Sequence, residues 1–81
     1  MILSNRVAKA QFLIHLSEIL AVPVDSLTGD ETLADLDGWD SMAVMSFIAF
    51  GDEYFGKILS PRQFAGCETV GDLGALLGVR V

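Results

Sequence analysis

Apolar residues recur at intervals of three and four positions near the start of the chain, which is the spacing of one face of an α-helix. The residues in this stripe are Phe12, Leu13, Leu16, Ile19 and Leu20. Ser4 or Asn5 can cap such a helix, and the residue before Pro23 avoids the helical conformation. The pattern therefore predicts a helix from about Ser4 to Ala21.

A second helix is predicted over residues 41–55. Asp40 is a good N-cap and Gly56 is a natural stop. At about 100° per residue, this helix shows two apolar faces. One is continuous and bulky and is expected to face the core: Val44, Phe47, Ile48, Gly51 and Phe55. The other is expected to face outward: Ser41, Met42, Met45, Ala49, Asp52 and Glu53.

The outward face has two interpretations. Exposed methionines with acids beside them suit protein recognition, because methionine adapts to varied surfaces. The pattern equally allows Met42 and Met45 to be core residues at the edge of a wide stripe. Phe50 and Tyr54 lie between the two faces, and the pattern assigns them to neither.

Two shorter helical segments follow. Proline is favoured in a first helical turn, so Ser60-Pro61 opens a short segment that extends to about Ala65. Thr69 caps a last helix, predicted over residues 70–77. No stretch alternates with a period of two, so the fold is predicted to be all-α, with three main helices and one short helix.

The connection over residues 22–40 is long for a compact domain. Four apolar side chains are expected to anchor it on the helices: Val24, Leu27, Leu33 and Leu36. Its acids lack the spacing of a calcium-binding loop, so we expect no metal site.

The size and charge of the chain limit the classes of function that it can have. A chain of 81 residues predicts a single domain, residues 1–81. The formal net charge is −6, and no Lys or Arg lies between Ala10 and Gly56. A nucleic-acid-binding protein would need the opposite sign. The charge favours a protein partner with a basic patch, although solubility alone also accounts for it.

The location is expected to be cytoplasmic. Cys67 is the only cysteine, so an internal disulfide is impossible. The start of the chain lacks the length and flanks of a secretory signal. The apolar run over residues 42–50 is too short to span a bilayer.

Ser41 has a specific position at the exposed start of the second helix. Free N–H groups and the helix dipole favour a phosphate there. The chain offers no base to activate the hydroxyl: His15 is the only histidine and lies on the first helix, and Asp40 alone does not make a triad. We therefore expect Ser41 to be modified by another protein rather than to be catalytic. The alternative is that Ser41 only forms part of the helix cap.

The stretch Gly38-Trp39-Asp40-Ser41-Met42 resembles the phosphopantetheine attachment site of acyl carrier proteins, whose motif is Asp-Ser-Leu at the start of the second helix. The resemblance covers nearly the whole chain. "LSEILAVPVDSLTGDETLADLDGWDSM" is similar to the family's first helix, acidic loop and attachment site, and "FGKILSPRQFAGCETVGDLGALL" to its later helices. It implies an acyl-carrier-like four-helix bundle with a long loop between helices 1 and 2.

The resemblance also implies the function. A phosphopantetheinyl transferase would attach 4′-phosphopantetheine from coenzyme A to Ser41, and Asp40 would help the transferase to recognise the site. The arm would carry an acyl or aminoacyl group as a thioester, from a loading ligase to acyl-transferring or synthase enzymes in fatty acid or polyketide biosynthesis. The recognition face would consist of Met42, Met45, Ala49, Asp52 and Glu53. A monomeric, non-catalytic carrier is expected.

This chain departs from the family pattern at two points. Met42 replaces the usual leucine, a swap that nearly conserves volume. The second helix has acids only at Asp52 and Glu53, which favours a stand-alone carrier of a specialised pathway over housekeeping fatty-acid synthesis. The rival hypotheses are a small helical interaction module without a prosthetic group and a small hydrolase that uses Ser41.

Overall fold

The computed structural model describes residues 4–81 and has three α-helices in that range. Helix α1 spans Asn5–Leu20, α2 spans Ser41–Phe55 and α3 spans Val70–Leu76. Three 3-10 helices lie at Val24–Ser26, Leu33–Asp35 and Pro61–Gly66. No strand occurs in residues 4–81, so the predicted all-α fold, with a short helix between the last two main helices, is confirmed.

The helix ends follow from local capping chemistry. The hydroxyl of Ser4 accepts a hydrogen bond from the N–H of Val7 at 3.3 Å, and Ala21 closes α1 in the left-handed conformation with a φ of 56°. At the start of α3, Thr69 and Asp72 form a reciprocal capping box, in which the side chain of each accepts a bond from the other's N–H. Because these groups would otherwise lack partners, the caps set the helix bounds.

The hydrophobic core lies where the three helices meet. Its fully buried large side chains come from all three: Phe12, Leu16, Phe47, Val70 and Leu73. The rings of Phe12 and Phe47 meet edge to face, with centroids 5.9 Å apart. Such a pair contributes about 0.5–1.5 kcal/mol beyond the burial of its area. This contact joins α1 directly to α2.

The core face of α2 differs from the predicted one. Phe47 is buried as predicted, but Phe50 is buried with it at 4% exposure, while Val44 and Ile48 are only half-buried. The reason is the position of α1, which packs on the side of α2 that carries Phe50. The ring of His15 stacks there on Phe50, with centroids 4.4 Å apart.

The long connection over residues 22–40 is tied to the start of α3. The N–H of Leu33 donates to the carbonyl of Glu68 at 2.8 Å, and the N–H of Val70 donates to the carbonyl of Glu31 at 3.0 Å. These bonds flank an isolated antiparallel bridge between Thr32 and Thr69. Backbone pairing, in addition to apolar packing, therefore holds the connection in place.

Three of the four predicted apolar anchors of this connection pack on the core. Leu27 and Leu33 are buried, and Leu36 is partly buried against the core cluster. The prediction for Val24 is wrong, because its side chain is 39% exposed on the first 3-10 turn. That turn brings Leu27 inward and leaves Val24 on its outer side.

Candidate functional site

The turn that precedes α2 is held tightly against the end of α1. A Cβ atom placed on Gly38 would lie 2.9 Å from the carbonyl oxygen of Leu20 and 3.1 Å from its Cα. Only glycine permits this close approach of two backbones. The N–H of Trp39 donates to the carbonyl of Leu36 at 3.0 Å and closes the turn.

Trp39 anchors the same turn on the core. Its ring lies 6.1 Å from that of Phe47 and 6.0 Å from that of Phe64, centroid to centroid. Phe47 and Phe64 in turn meet edge to face at 5.8 Å. The three rings thus connect the turn, α2 and the 61–66 helix into one aromatic cluster beneath Ser41.

Asp40 caps α2. Its backbone is extended, with φ −127° and ψ −172°, and its carboxylate accepts a hydrogen bond from the N–H of Ala43 at 2.9 Å. The carbonyl of Asp40 also accepts from the N–H of Val44 at 3.0 Å. The first helical residue is therefore Ser41, as predicted, and its side chain is exposed. The N–H groups of Ser41 and Met42 belong to the first turn, where an α-helix offers no internal acceptor.

His15 is too far along the bundle to act as a base for Ser41. Its ring stacks on Phe50 and lies 4.7 Å from the ring of Tyr54. Phe50 lies nine positions after Ser41 on α2, which amounts to roughly 13 Å along the helix axis at 1.5 Å per residue. The geometry presents an exposed hydroxyl at a helix N-terminus without this general base beside it.

The outward face of α2 is exposed, which decides between the two interpretations of its methionines. Met42 is 77% exposed and Met45 is 64% exposed. Ala49, Asp52 and Glu53 are exposed as well. The hypothesis that Met42 and Met45 are core residues is therefore wrong, and Ser41 lies at one end of an open apolar strip.

A groove between α1 and α2 adjoins this strip and was not predicted from the sequence. Its volume is about 330 Å³, and His15 and Glu18 of α1 face Ser46, Ala49 and Glu53 of α2 across it. The groove depends on how the two helices are paired, and neither helix alone signals that register.

Two carboxylates stabilise the connection between α1 and α2 and the start of α3. Desolvation alone would raise the pKa of Glu31, but hydrogen bonds donated by Thr28 and Gly29 outweigh it and lower the pKa from its ordinary value. Hydrogen bonds from the N–H groups of Glu68 and Thr69 lower the pKa of Asp72. Both groups are therefore held in the charged form, which caps backbone donors.

The thiol of Cys67 is half-buried. Burial, followed by the nearby charge of Asp72, raises its pKa, so the thiol form is favoured. Within residues 4–81, no group of three or more potential metal ligands is present, and no helix is long and apolar enough to cross a membrane.

Comparison with known proteins identifies the family of this chain. The model of the phosphopantetheine attachment site family matches residues 11–77, which is most of the chain. The chain belongs to this family of phosphopantetheine-binding carrier proteins. The carrier is also 37% identical over 68 residues to the acyl carrier protein MbtL of Mycolicibacterium paratuberculosis, and the match covers 84% of this chain and 76% of that protein. No solved structure matches significantly.

The resemblance drawn from the sequence is therefore confirmed at the level of the family. Carriers of this family bear covalently attached 4′-phosphopantetheine. The described residues fit such a group, because Ser41 offers an exposed hydroxyl for a phosphodiester at the positive end of α2. The Ser41 oxygen, which can form an ester, and the free N–H groups of the first turn, which can bind a phosphate, lie at the same end of α2.

Proposed function

We propose that Ser41 is the attachment residue and that the protein is an acyl carrier. The observation that carries the proposal is the exposure of the Ser41 hydroxyl at the capped N-terminus of α2. The family match includes this residue within residues 11–77. The name of the relative, an acyl carrier protein, supports an acyl cargo over an aminoacyl one.

The attachment is a phosphoryl transfer onto the serine. The Ser41 oxygen forms a bond to the phosphorus that bears the pantetheine moiety of coenzyme A. The pyrophosphate bond breaks, and adenosine 3′,5′-bisphosphate leaves with the electron pair. Because His15 is distant and Asp40 is engaged as a cap, the serine proton passes to a base of the phosphopantetheinyl transferase. Asp40 acts by fixing the backbone of the first turn and so the position of Ser41.

The carrier then delivers its cargo without doing chemistry itself. Once attached, the arm supplies a thiol that holds the acyl group as a thioester. The loading ligase and the acyl-transferring or synthase enzymes contact the outward face of α2: Met42, Met45, Ala49, Asp52 and Glu53. A face with two exposed methionines and few acids favours partners with apolar contact surfaces, which supports a dedicated pathway. The proposed location of that pathway is the cytoplasm.

Mass spectrometry of the intact protein tests the attachment. The chain is incubated with coenzyme A, magnesium and a promiscuous phosphopantetheinyl transferase, and its mass should increase by one phosphopantetheine unit. Ser41→Ala should abolish the gain. Ser46→Ala is the matched control, because Ser46 is also an exposed serine on α2, and it should be modified normally. A gain that persists in Ser41→Ala, or no gain with several transferases, would contradict the proposal.

Transferase kinetics test the recognition face separately. Met45→Ala removes an exposed apolar contact, and an interface contact of this kind is worth about 1 kcal/mol, or roughly a fivefold loss in kcat/KM. Ile14→Ala is the control, because Ile14 is an exposed apolar residue of α1 at 47% exposure. Equal effects of the two substitutions would remove the α2 face from the proposal and leave the attachment at Ser41 intact.

A further inference from the structure

A cleft lies at the end of the bundle away from Ser41. Its volume is about 500 Å³, and it is lined by Ala8 of α1, residues 54–56 at the end of α2 and residues 77–79 after α3. The cleft begins at the other end of α2, which has 15 residues and is therefore roughly 20 Å long. None of the groups proposed for attachment or recognition lines it.

Basic residues are direct neighbours in sequence of residues that line this cleft. Lys9, Lys57 and Arg80 each directly follow a residue that lines it, and all three side chains are exposed. The backbone of Arg80 is tied to Asn5, whose side chain accepts from the Arg80 N–H at 3.1 Å, so Arg80 is held beside the start of α1. Arg6, which is also exposed, follows Asn5 there. Four of the five basic residues thus lie around one end of a chain whose net charge is −6.

Exposed apolar side chains surround the same cleft. Ile58 is 89% exposed and follows Lys57 after the end of α2. Tyr54 lines the cleft and is 47% exposed, and Val7, next to Ala8, is 44% exposed. A volume of about 500 Å³ falls in the range of sites that enclose a ligand group. The end of the bundle therefore combines a concave site of mixed polarity with exposed apolar and basic side chains next to it.

We propose that this end is a second docking surface, which binds an acidic segment of a partner protein that places an aromatic or aliphatic side chain in the cleft. Charge complementarity specifies the acidic character of the partner. We favour a peptide over a small molecule, because exposed Ile58 and Val7 lie close in sequence to lining residues and offer apolar contacts outside the cleft. Such a partner would hold the carrier while leaving Ser41 and the outward face of α2 free.

A titration with a synthetic peptide tests this surface. The probe is the acetylated, amidated peptide Glu-Asp-Leu-Asp-Phe-Glu, and the control is Gln-Asn-Leu-Asn-Phe-Gln, which keeps the side-chain shapes without the charges. Amide chemical shifts of the ¹⁵N-labelled full chain should change at residues 7–9, 54–58 and 77–80 with the acidic peptide. Binding should weaken as NaCl is raised from about 0.02 to 0.5 M, because salt screens exposed charges.

Matched variants test whether the basic residues near the cleft, rather than the net charge of the protein, are responsible for binding. Lys57→Gln and Arg80→Gln should each weaken binding about two- to fivefold, the effect of one exposed ion pair. Arg62→Gln makes the same charge change on the exposed 61–66 helix and should leave binding unchanged. Ile58→Ser should also weaken binding, whereas Val24→Ser, at another exposed apolar position, should not.

The outcomes that overturn the proposal are specific. Equal binding of both peptides, equal effects of Arg62→Gln and Lys57→Gln, or shifts centred on Met42 and Met45 would each contradict it. Binding only to vesicles of anionic phospholipid would assign the surface to a membrane, and concentration-dependent self-association lost in Lys57→Gln would assign it to a second copy of this chain. Binding only after residues 1–3 are removed would assign the cleft to the chain's own first residues. Ser41→Ala should bind the peptide normally, so this test is independent of the attachment site.

Discussion

Replacing Gly38 with alanine should destabilise the protein, because the turn before Ser41 rests directly on the backbone of α1. The new Cβ would lie 2.9 Å from the carbonyl oxygen of Leu20 and 3.3 Å from its carbonyl carbon, whereas ordinary contacts begin at 3.4 Å. The turn would have to withdraw by about half an ångström. It cannot push aside a flexible side chain, since the atoms it meets are backbone.

The expected magnitude combines two opposing effects. Overpacking of this kind costs about 1–3 kcal/mol. Alanine also restricts the unfolded chain more than glycine does, which offsets about 0.4–1 kcal/mol of that cost. The free energy of unfolding should therefore fall by about 1–2 kcal/mol, which lowers the Tm of a domain of this size by roughly 5–15 °C.

Thermal unfolding followed by circular dichroism measures the effect, and Gly66→Ala provides the control. Nothing lies within 4 Å of a Cβ placed on Gly66, and its φ is not positive, so only the effect on the unfolded chain remains. This variant should unfold at the wild-type Tm or a few degrees above it. The close approach of Gly38 to Leu20 would be refuted as a source of stability if both variants had the same Tm.

Three further predictions concern the cap, the loop carboxylates and the core. Asp40→Ala should cost about 1 kcal/mol in urea unfolding and Asp40→Ser much less, because serine is also a good N-cap; equal losses would mean that capping is not the cause. The pKa values of Glu31 and Asp72 lie below their ordinary values of 4.5 and 3.8, so their contribution to stability is present above those values and is lost as the pH falls through the lowered ones. Glu31→Gln should flatten that acid dependence, and an unchanged profile would contradict the assignment. Phe47→Ala should cost about 3–5 kcal/mol, measured by the same denaturation, whereas a loss below 1 kcal/mol would contradict the central position of this ring.

The helix bounds could be predicted because their causes are local. Asp40, Thr69 and Pro61 act within one turn of their own positions, and the observed helices differ from the predicted ones by only about one residue at each end. Family membership was equally accessible, since the attachment motif and the order of helices are both visible in the sequence. The assignment of Ser41 and of the recognition face stays a prediction that the proposed experiments test.

Other features depend on contacts between distant segments and could not be read from one stretch. The core face of α2 was misplaced towards Val44 because the sequence does not say on which side α1 packs. The packing of the last residues could not be predicted from the sequence either. Val79 is buried, and a Cβ on Gly74 would meet the side chain of Val81 at 2.7 Å. This small-residue contact, like the basic cleft beside it, exists only once α3 has folded back on α1.

The three residues before Ser41 each stabilise a different contact, and together they explain why the site is rigid. Gly38 lets the turn approach α1, Trp39 packs on the aromatic cluster and Asp40 caps α2. Since all three restraints end immediately before the serine, the backbone of Ser41 is held in place while its side chain remains open to solvent. A carrier must reach several enzymes from one point. If Ser41 is the attachment residue, as proposed, the arm provides the reach and the protein provides a fixed point of attachment.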